Sequence, residues 1–356
     1  MTTSNSPKLK NDKHLSHFDG WRGLALCMLL LGHFFPVPGI DFGIVGVNLF
    51  FVLSGFLMGG LLFEKQEPIP KFYRRRIARI LPAHVVFLVV ISIFYFATER
   101  SFSLSELISA LLFLKNYVPP DLGVGHSLMP FGHIWSLSVE EHSYVVLSLV
   151  AIFSRKRLFS SASGVGVLVI VTVCFALYYQ WLSPPKLAFN QWLRTETAAY
   201  GLFATALWVS VGRRLPKMLK YVSVAPILLL IGIALHWWSV PLAFQRIVGV
   251  GCFVIAICAL AVNRGWFAVL LSWSPLRQLG LWSFSVYLWQ QPFYVWMHSD
   301  PRVSPVFALA LALICGLASY YLIERPVRAY LNSHWGVKAV ITEPQFAADT
   351  SPALRR

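Results

Sequence analysis

Ten stretches of nearly unbroken apolar residues organise this chain, with short polar segments between them. They fall at about 23–38, 43–63, 80–98, 134–153, 164–183, 196–211, 222–240, 244–262, 279–298 and 303–323. Most are long enough to cross about 30 Å of hydrocarbon as helices. Lipid offers the backbone no hydrogen bonds, so helices are the expected spanning form. The first run is short and needs Gly20 and Trp21 to complete a crossing. Lys8, Lys10 and Lys13 precede it, as in a signal peptide, but no small-residue cleavage site follows. The pattern therefore predicts a retained first span. The stretch 105–115 is too short to cross and is expected to lie at the interface or re-enter.

Composition agrees with this pattern. Of 356 residues, 57% are hydrophobic and only 13% charged, and the mean hydropathy is +0.64. Soluble domains are about 45–50% apolar and about 25% charged, so an ordinary cytosolic enzyme is excluded. The 27 Phe, 13 Trp and 13 Tyr exclude a disordered chain. All five cysteines (Cys27, Cys174, Cys252, Cys258, Cys315) lie inside apolar runs without C-x-x-C spacing. They read as small buried hydrophobes.

The net charge of +15 would suggest nucleic acid in a soluble protein. Here its distribution points to topology, and no nucleic-acid partner is expected. With ten crossings, the segments on the N-terminal side hold 24 Lys or Arg. The opposite side holds six: Arg100, Lys115, Lys186, Arg194, Arg246 and Arg302. Basic residues mark cytoplasmic loops, so both termini are expected in the cytoplasm. An eleventh span at 105–115 would scramble the split. The expected fold is an all-α, polytopic membrane helix bundle of about ten transmembrane helices. A cytoplasmic tail at 1–17, a membrane domain at 18–328 and a second cytoplasmic tail at 329–356 complete it.

Ionisable groups inside spans are costly and mark function. Arg22 and His33 sit eleven residues apart on the first span, which returns them to one helix face about 16 Å apart along the axis. Arg22 could serve as a snorkelling anchor and His33 as a packing residue, or the two could form part of a site. On the fourth span, His133, Ser136, Glu140 and Tyr144 fall within about 80° of one another, while Glu141 points about 100° away from Glu140. A carboxylate there needs a partner, and His33 is the expected one, because a carboxylate fixes an imidazole's tautomer. Arg76 and Arg79, three residues apart in the basic run 71–79, suit phosphate through their forked guanidinium groups. The same run also serves as a topology signal. No H-x-x-x-H or H-E-x-x-H spacing occurs, so no metal site is expected. Gly55 and Gly59 have G-x-x-x-G spacing, read as close helix packing.

Taken in order, these residues resemble the acyltransferase-3 family of integral membrane acyltransferases. The matches are Phe18-Asp-Gly-Trp-Arg22-Gly with His33, Phe50-Phe-Val-Leu-Ser-Gly-Phe56, Arg76-Ile-Ala-Arg79-Ile-Leu-Pro82, His133-Ile-Trp-Ser-Leu-Ser-Val-Glu-Glu141, Ser283-Phe-Ser-Val-Tyr-Leu-Trp289 and Glu324-Arg-Pro326. The chain departs from the family at Gln290, where relatives often carry His, and at His142-Ser143-Tyr144, where they often carry Gln-Phe-Tyr. Gln290 cannot shuttle a proton near neutral pH, which weakens a catalytic role there. The esterase-like domain fused to some relatives is not expected after the tenth span.

The resemblance implies O-acylation, with acetyl-CoA or another acyl-CoA as the donor cosubstrate and no permanently bound cofactor. The implied acceptor is a sugar hydroxyl of a cell-surface or exported glycan or glycosylated compound. The expected location is a bacterial cytoplasmic (inner) membrane. His33 would be the general base, oriented by Glu140. Arg22, Arg76 and Arg79 would hold the donor, and His133, Trp135, Ser136 and Tyr144 would line the acceptor side. A covalent acyl-His33 intermediate also fits. A transporter of a small or acyl-bearing solute, with His, Glu and Arg as a relay, is the competing class, but no inverted repeat supports it.

Overall fold

The computed structural model describes residues 16–118, 127–182, 191–212, 224–262 and 265–336. Most of both expected tails therefore lies outside the described residues. Within them the chain is all helix and loop, with two isolated β-bridges. In chain order the helices are α1 (Ser16–Phe34), α2 (Phe42–Glu64) and α3 (Ile69–Ala97), then α4 (Leu104–Leu111). Next come α5 (Ile134–Arg155) and α6 (Ser161–Trp181), α7 (Tyr200–Ser210) and α8 (Ala225–Ala234). The series ends with α9 (Leu242–Val262), α10 (Trp266–Leu271), α11 (Ser274–Ser299) and α12 (Pro305–His334).

Local chemistry sets the starts of these helices. Asp41 caps α2 by accepting from Ile44 N at 3.0 Å. Ser160 caps α6 through Ser163 N at 3.0 Å, and Ser304 caps α12 through Phe307 N at 3.2 Å. Each side chain satisfies an amide that the first helical turn leaves unpaired. Pro lies in the first turn of α3, α11 and α12, where a missing N–H costs nothing. Short π-helical turns interrupt α2, α9 and α12. The expected run at 80–98 proves to be the second part of α3, which begins at Ile69 and takes the whole basic run into the helix.

Among the described residues, six helices are long and apolar enough to cross a membrane: α2, α3, α5, α6, α9 and α12. They divide by environment. The apolar window of α2 is 72% buried in protein, whereas that of α6 is 17% buried. The residues of α6 that face outward, such as Val167 and Ile170, suit hydrocarbon. α1 is central: Leu26, Leu29 and Phe34 join one apolar cluster and Phe18, Trp21 and Ala25 another. Its main neighbours are α2 and α11. Trp21 is fully buried, with its indole N–H on the Leu49 carbonyl at 2.9 Å. The G-x-x-x-G reading holds at α2, where a Cβ on Gly55 would stand 1.9 Å from the Leu202 carbonyl of α7. Only glycine permits that approach. The stretch at 105–115 forms the eight-residue α4 and a following turn.

Candidate active site

A cleft opens among α1, α2, α3, α5 and α11, and its polar lining is Arg22, Arg76, Arg79, Ser54, Ser136, Ser283 and Glu140, with Tyr144 and Tyr287. Because α3 begins before the basic run, Arg76 and Arg79 stand one turn apart inside the bundle and turn into the cleft. The Arg76 guanidinium lies 3.3 Å from the centre of the Tyr144 ring and 3.1 Å from Glu141 Oε1. Arg22 pairs with Asp19 at 3.2 Å. Glu140 accepts from Ser54 Oγ at 2.7 Å. At one end of the lining, Ser136 Oγ and the Tyr287 hydroxyl are 2.6 Å apart, and that hydroxyl also donates to the His133 carbonyl.

His33 stands one residue from the end of α1, outside this lining. Its Nδ1 is 2.8 Å from Gln290 Oε1, and Gln290 Nε2 donates to Gln291 Oε1 at 3.1 Å. With the Gln290 carbonyl facing the imidazole as it is placed here, Nδ1 carries the proton and Nε2 the lone pair. The ring also packs on Tyr294, with centroids 4.7 Å apart. The unprotonated ring nitrogen in this arrangement is Nε2.

The structure thus brings six of the nine expected residues together: Arg22, Arg76, Arg79, Ser136, Glu140 and Tyr144. The expected pairing of Glu140 with His33 does not form. Gln290 occupies the imidazole, and Glu140 belongs to the arginine cleft. His133 packs edge-on against Phe87 at 5.6 Å and beside Tyr287 at 5.1 Å. Its ring adjoins the Leu288 carbonyl, which loses its helical partner because Pro292 has no N–H. Trp135 is buried against Phe51 at 6.1 Å. Neither His133 nor Trp135 lines this cleft. Glu141, expected to matter little, is the ion partner of Arg76.

The acyltransferase domain model of the acyltransferase-3 family matches residues 15–335, a span that contains the cleft, His33 and every helix described above. The chain belongs to this family. Its match is to an acyltransferase domain, here carried on a multi-helix membrane domain. O-acetyltransferase OatA of Staphylococcus aureus strain NCTC 8325 is 26% identical over 354 residues, covering 90% of this chain and 58% of that protein. OatA of strain COL matches to the same extent. A further O-acetyltransferase-named sequence of strain N315 is 26% identical over 97% of this chain and 61% of its own length. The chain spans about three-fifths of the curated relatives it matches. No solved structure matches it.

Four residues that the structure places in the cleft or against the expected site residues were given no role by sequence reasoning. Ser54 lay in a motif read only as packing. Tyr287 lay in a matched motif without a role. Glu141 was set aside by its helical angle, and Gln290 because it cannot carry a proton. Orienting an imidazole needs only a fixed acceptor, which an amide carbonyl supplies.

Proposed function

We propose that this acyltransferase moves an acetyl group from acetyl-CoA onto a sugar hydroxyl of a cell-surface or exported glycan or glycosylated compound, working in a bacterial cytoplasmic membrane. The observation that carries the reading is the charge of the cleft. Three guanidinium groups converge on a lining where Glu140 is the one carboxylate among the described residues. Asp19 and Glu141 offset Arg22 and Arg76 from outside the lining, but the cleft surface itself keeps three cations to one carboxylate and suits an anion. The phosphates of CoA are such an anion, and forked guanidinium donors match them. The cleft is narrow, about 100 Å³, and suits the slender pantetheine arm, with the nucleotide held at its mouth.

The orientation supports the same reading. In a ten-span arrangement with both termini cytoplasmic, Arg22, Arg76 and Arg79 lie in the cytoplasmic part of their helices, where the donor is made. Residues 18–328 form the working domain and the two tails flank it. His33 Nε2 takes the proton of the attacking hydroxyl. The hydroxyl oxygen bonds to the thioester carbonyl carbon, the C–S bond breaks, and the proton passes to the departing thiolate. Gln290 holds the imidazole tautomer. Glu140 and Ser54 flank Arg76 beside the donor phosphates, with Tyr144 and Ser136 shaping the channel.

Thiol release from acetyl-CoA by the purified protein in nanodiscs, with membrane glycan supplied, tests this. His33→Ala should lower turnover by about 10²–10⁴-fold, the range for a general base, while CoA binding persists. Gln290→Ala should cost less, because the imidazole remains. A correctly inserted His33→Ala protein with near-normal glycan acylation would overturn the reading.

A further inference from the structure

Among the described residues, the hydroxyl groups lining the cleft belong to Ser54, Ser136, Tyr144, Ser283 and Tyr287. Two of the serines are engaged elsewhere: Ser54 donates to Glu140 at 2.7 Å and Ser283 to the Gly280 carbonyl at 2.9 Å. Tyr144 carries the Arg76 guanidinium on its ring at 3.3 Å, which places it at the phosphate end. Ser136 and Tyr287 remain, with their oxygens 2.6 Å apart. Position sets this pair apart. Ser283, Tyr287 and Gln290 fall within about 60° of one another on α11, and only about 4.5 Å of rise separates Tyr287 from Gln290. Gln290 meets the His33 imidazole, so the pair closes the end of the cleft nearest the base. On α5, Ser136, Glu140 and Tyr144 share a face in steps of about 6 Å, which puts Ser136 about 12 Å along the helix from the residue under Arg76. The Tyr287 hydroxyl donates to the His133 carbonyl, so its oxygen accepts the Ser136 proton. That proton can swing into the cleft by breaking one hydroxyl bond and moving no backbone. Both side chains are buried, where a hydrogen bond to a charge is stronger than in water.

We propose that Ser136 is the hydrogen-bond donor to the oxyanion formed from the thioester carbonyl, with Tyr287 as its positioning residue. The inference rests on the proposed function and supplies the group that reading lacks, one to meet the negative charge of the tetrahedral stage. As the acceptor oxygen bonds to the carbonyl carbon, its proton goes to His33 Nε2 and the carbonyl π pair moves onto oxygen. The Ser136 O–H turns from Tyr287 to that oxygen and donates a hydrogen bond without giving up its proton. The pair then re-forms the C=O as the C–S bond breaks, and the thiolate leaves with the proton from His33. Tyr287 stays on the His133 carbonyl and fixes the rotamer from which Ser136 turns. The carbonyl oxygen is more negative at the transition state than in the bound thioester, so the contact tightens as the reaction proceeds. The guanidinium of Arg76, two helical turns away over Tyr144, is committed to the other end of the donor.

CoA itself has no acyl carbonyl, so this contact is invisible to CoA binding and visible in turnover. Two readouts separate the role from a structural one. CoA is titrated into each variant in nanodiscs, and alkali-labile [14C]acetyl transferred from saturating acetyl-CoA to glycan is counted in vesicles of a gene-deleted strain carrying that variant. Ser136→Ala should lower kcat by about 10²–10³-fold, the range for one oxyanion donor, with the Kd for CoA within about twofold of wild type. Ser136→Thr keeps a hydroxyl and should turn over at least about tenfold faster than Ser136→Ala. Tyr287→Phe leaves Ser136 its proton and removes its hold, so its loss should be smaller. Adding Tyr287→Phe to Ser136→Ala should cost little more, because the two act as a unit. A kcat within about threefold of wild type in Ser136→Ala, or a CoA Kd weakened as far as kcat falls, overturns the oxyanion role. With His33→Ala inactive beside it, that result leaves the base assignment standing. An active His33→Ala protein brings down the base and this inference together.

Discussion

Replacing Arg76 by Ala should weaken CoA binding by one to two decades. The guanidinium is locked before any ligand arrives, lying flat on Tyr144 at 3.3 Å and tied to Glu141 at 3.1 Å. Little side-chain entropy then remains to be lost when a phosphate docks. A charge-assisted contact of this kind contributes about 1.5–3 kcal/mol, and each 1.4 kcal/mol is tenfold in affinity. The expected loss is therefore roughly 10- to 150-fold in Kd, read by titrating CoA into protein in nanodiscs at fixed salt. Arg76→Lys should recover only part of it, because an ammonium neither forks nor stacks as a guanidinium does. Glu141→Gln is the discriminating companion. It removes the counter-charge of Arg76 but leaves the fork, so CoA affinity should hold or rise. If Arg76 served only as the structural partner of Glu141, the two variants would cost similar stability and neither would change Kd. Binding within twofold of wild type in Arg76→Ala refutes the donor role.

Two other expectations follow from the same geometry. Glu106 and Lys115 form a fully buried pair at 3.0 Å, and Glu106 also accepts from Leu128 N at 2.8 Å; burial pushes the Lys115 amine below its usual value, with Glu106 opposing the shift. Glu106→Gln should cost about 3–5 kcal/mol by stranding the cation, seen as a large drop in thermal unfolding temperature, and Glu106→Gln with Lys115→Met should recover most of it; an unchanged midpoint in the single variant would remove the pair from the stability account. Reporter fusions after Ser101 and Ser299 should both read outside the cytoplasm, and a cytoplasmic signal at Ser299 would end the ten-span arrangement.

Hydropathy made most of the fold legible, and its misses have physical causes. It placed the start of α3 late because it counts only apolar residues. Lys and Arg are good helix formers, so the helix opened at Pro68 runs straight through Arg74, Arg75, Arg76 and Arg79. α1 and α11 were both read as spans, from the runs at 23–38 and 279–298. Neither ranks among the six long apolar helices, yet both lie at the centre of the packing. Their polar residues face protein rather than lipid, so apolar content understates how deeply they are buried. Ser105 and its neighbours were legible as non-spanning from length alone.

The site was half legible because a helical wheel reports a face and says nothing about the register between helices. Arg22, Arg76, Arg79, Ser136, Glu140 and Tyr144 do share one cleft, as their faces allowed. Glu140 and His33 were matched by chemistry alone, since a carboxylate is a good partner for an imidazole. His33 lies one residue from the end of α1, whereas Glu140 is six residues into α5, about 9 Å along that helix. At that depth Glu140 meets Ser54 and the guanidinium of Arg76, and a nearby cation attracts a carboxylate more strongly than a neutral ring does. The imidazole, left without Glu140, meets a neutral amide from α11 instead. In the proposed reaction that division keeps Glu140 with the cations of the donor cleft and leaves the imidazole to an amide, so the carboxylate does not have to serve both ends.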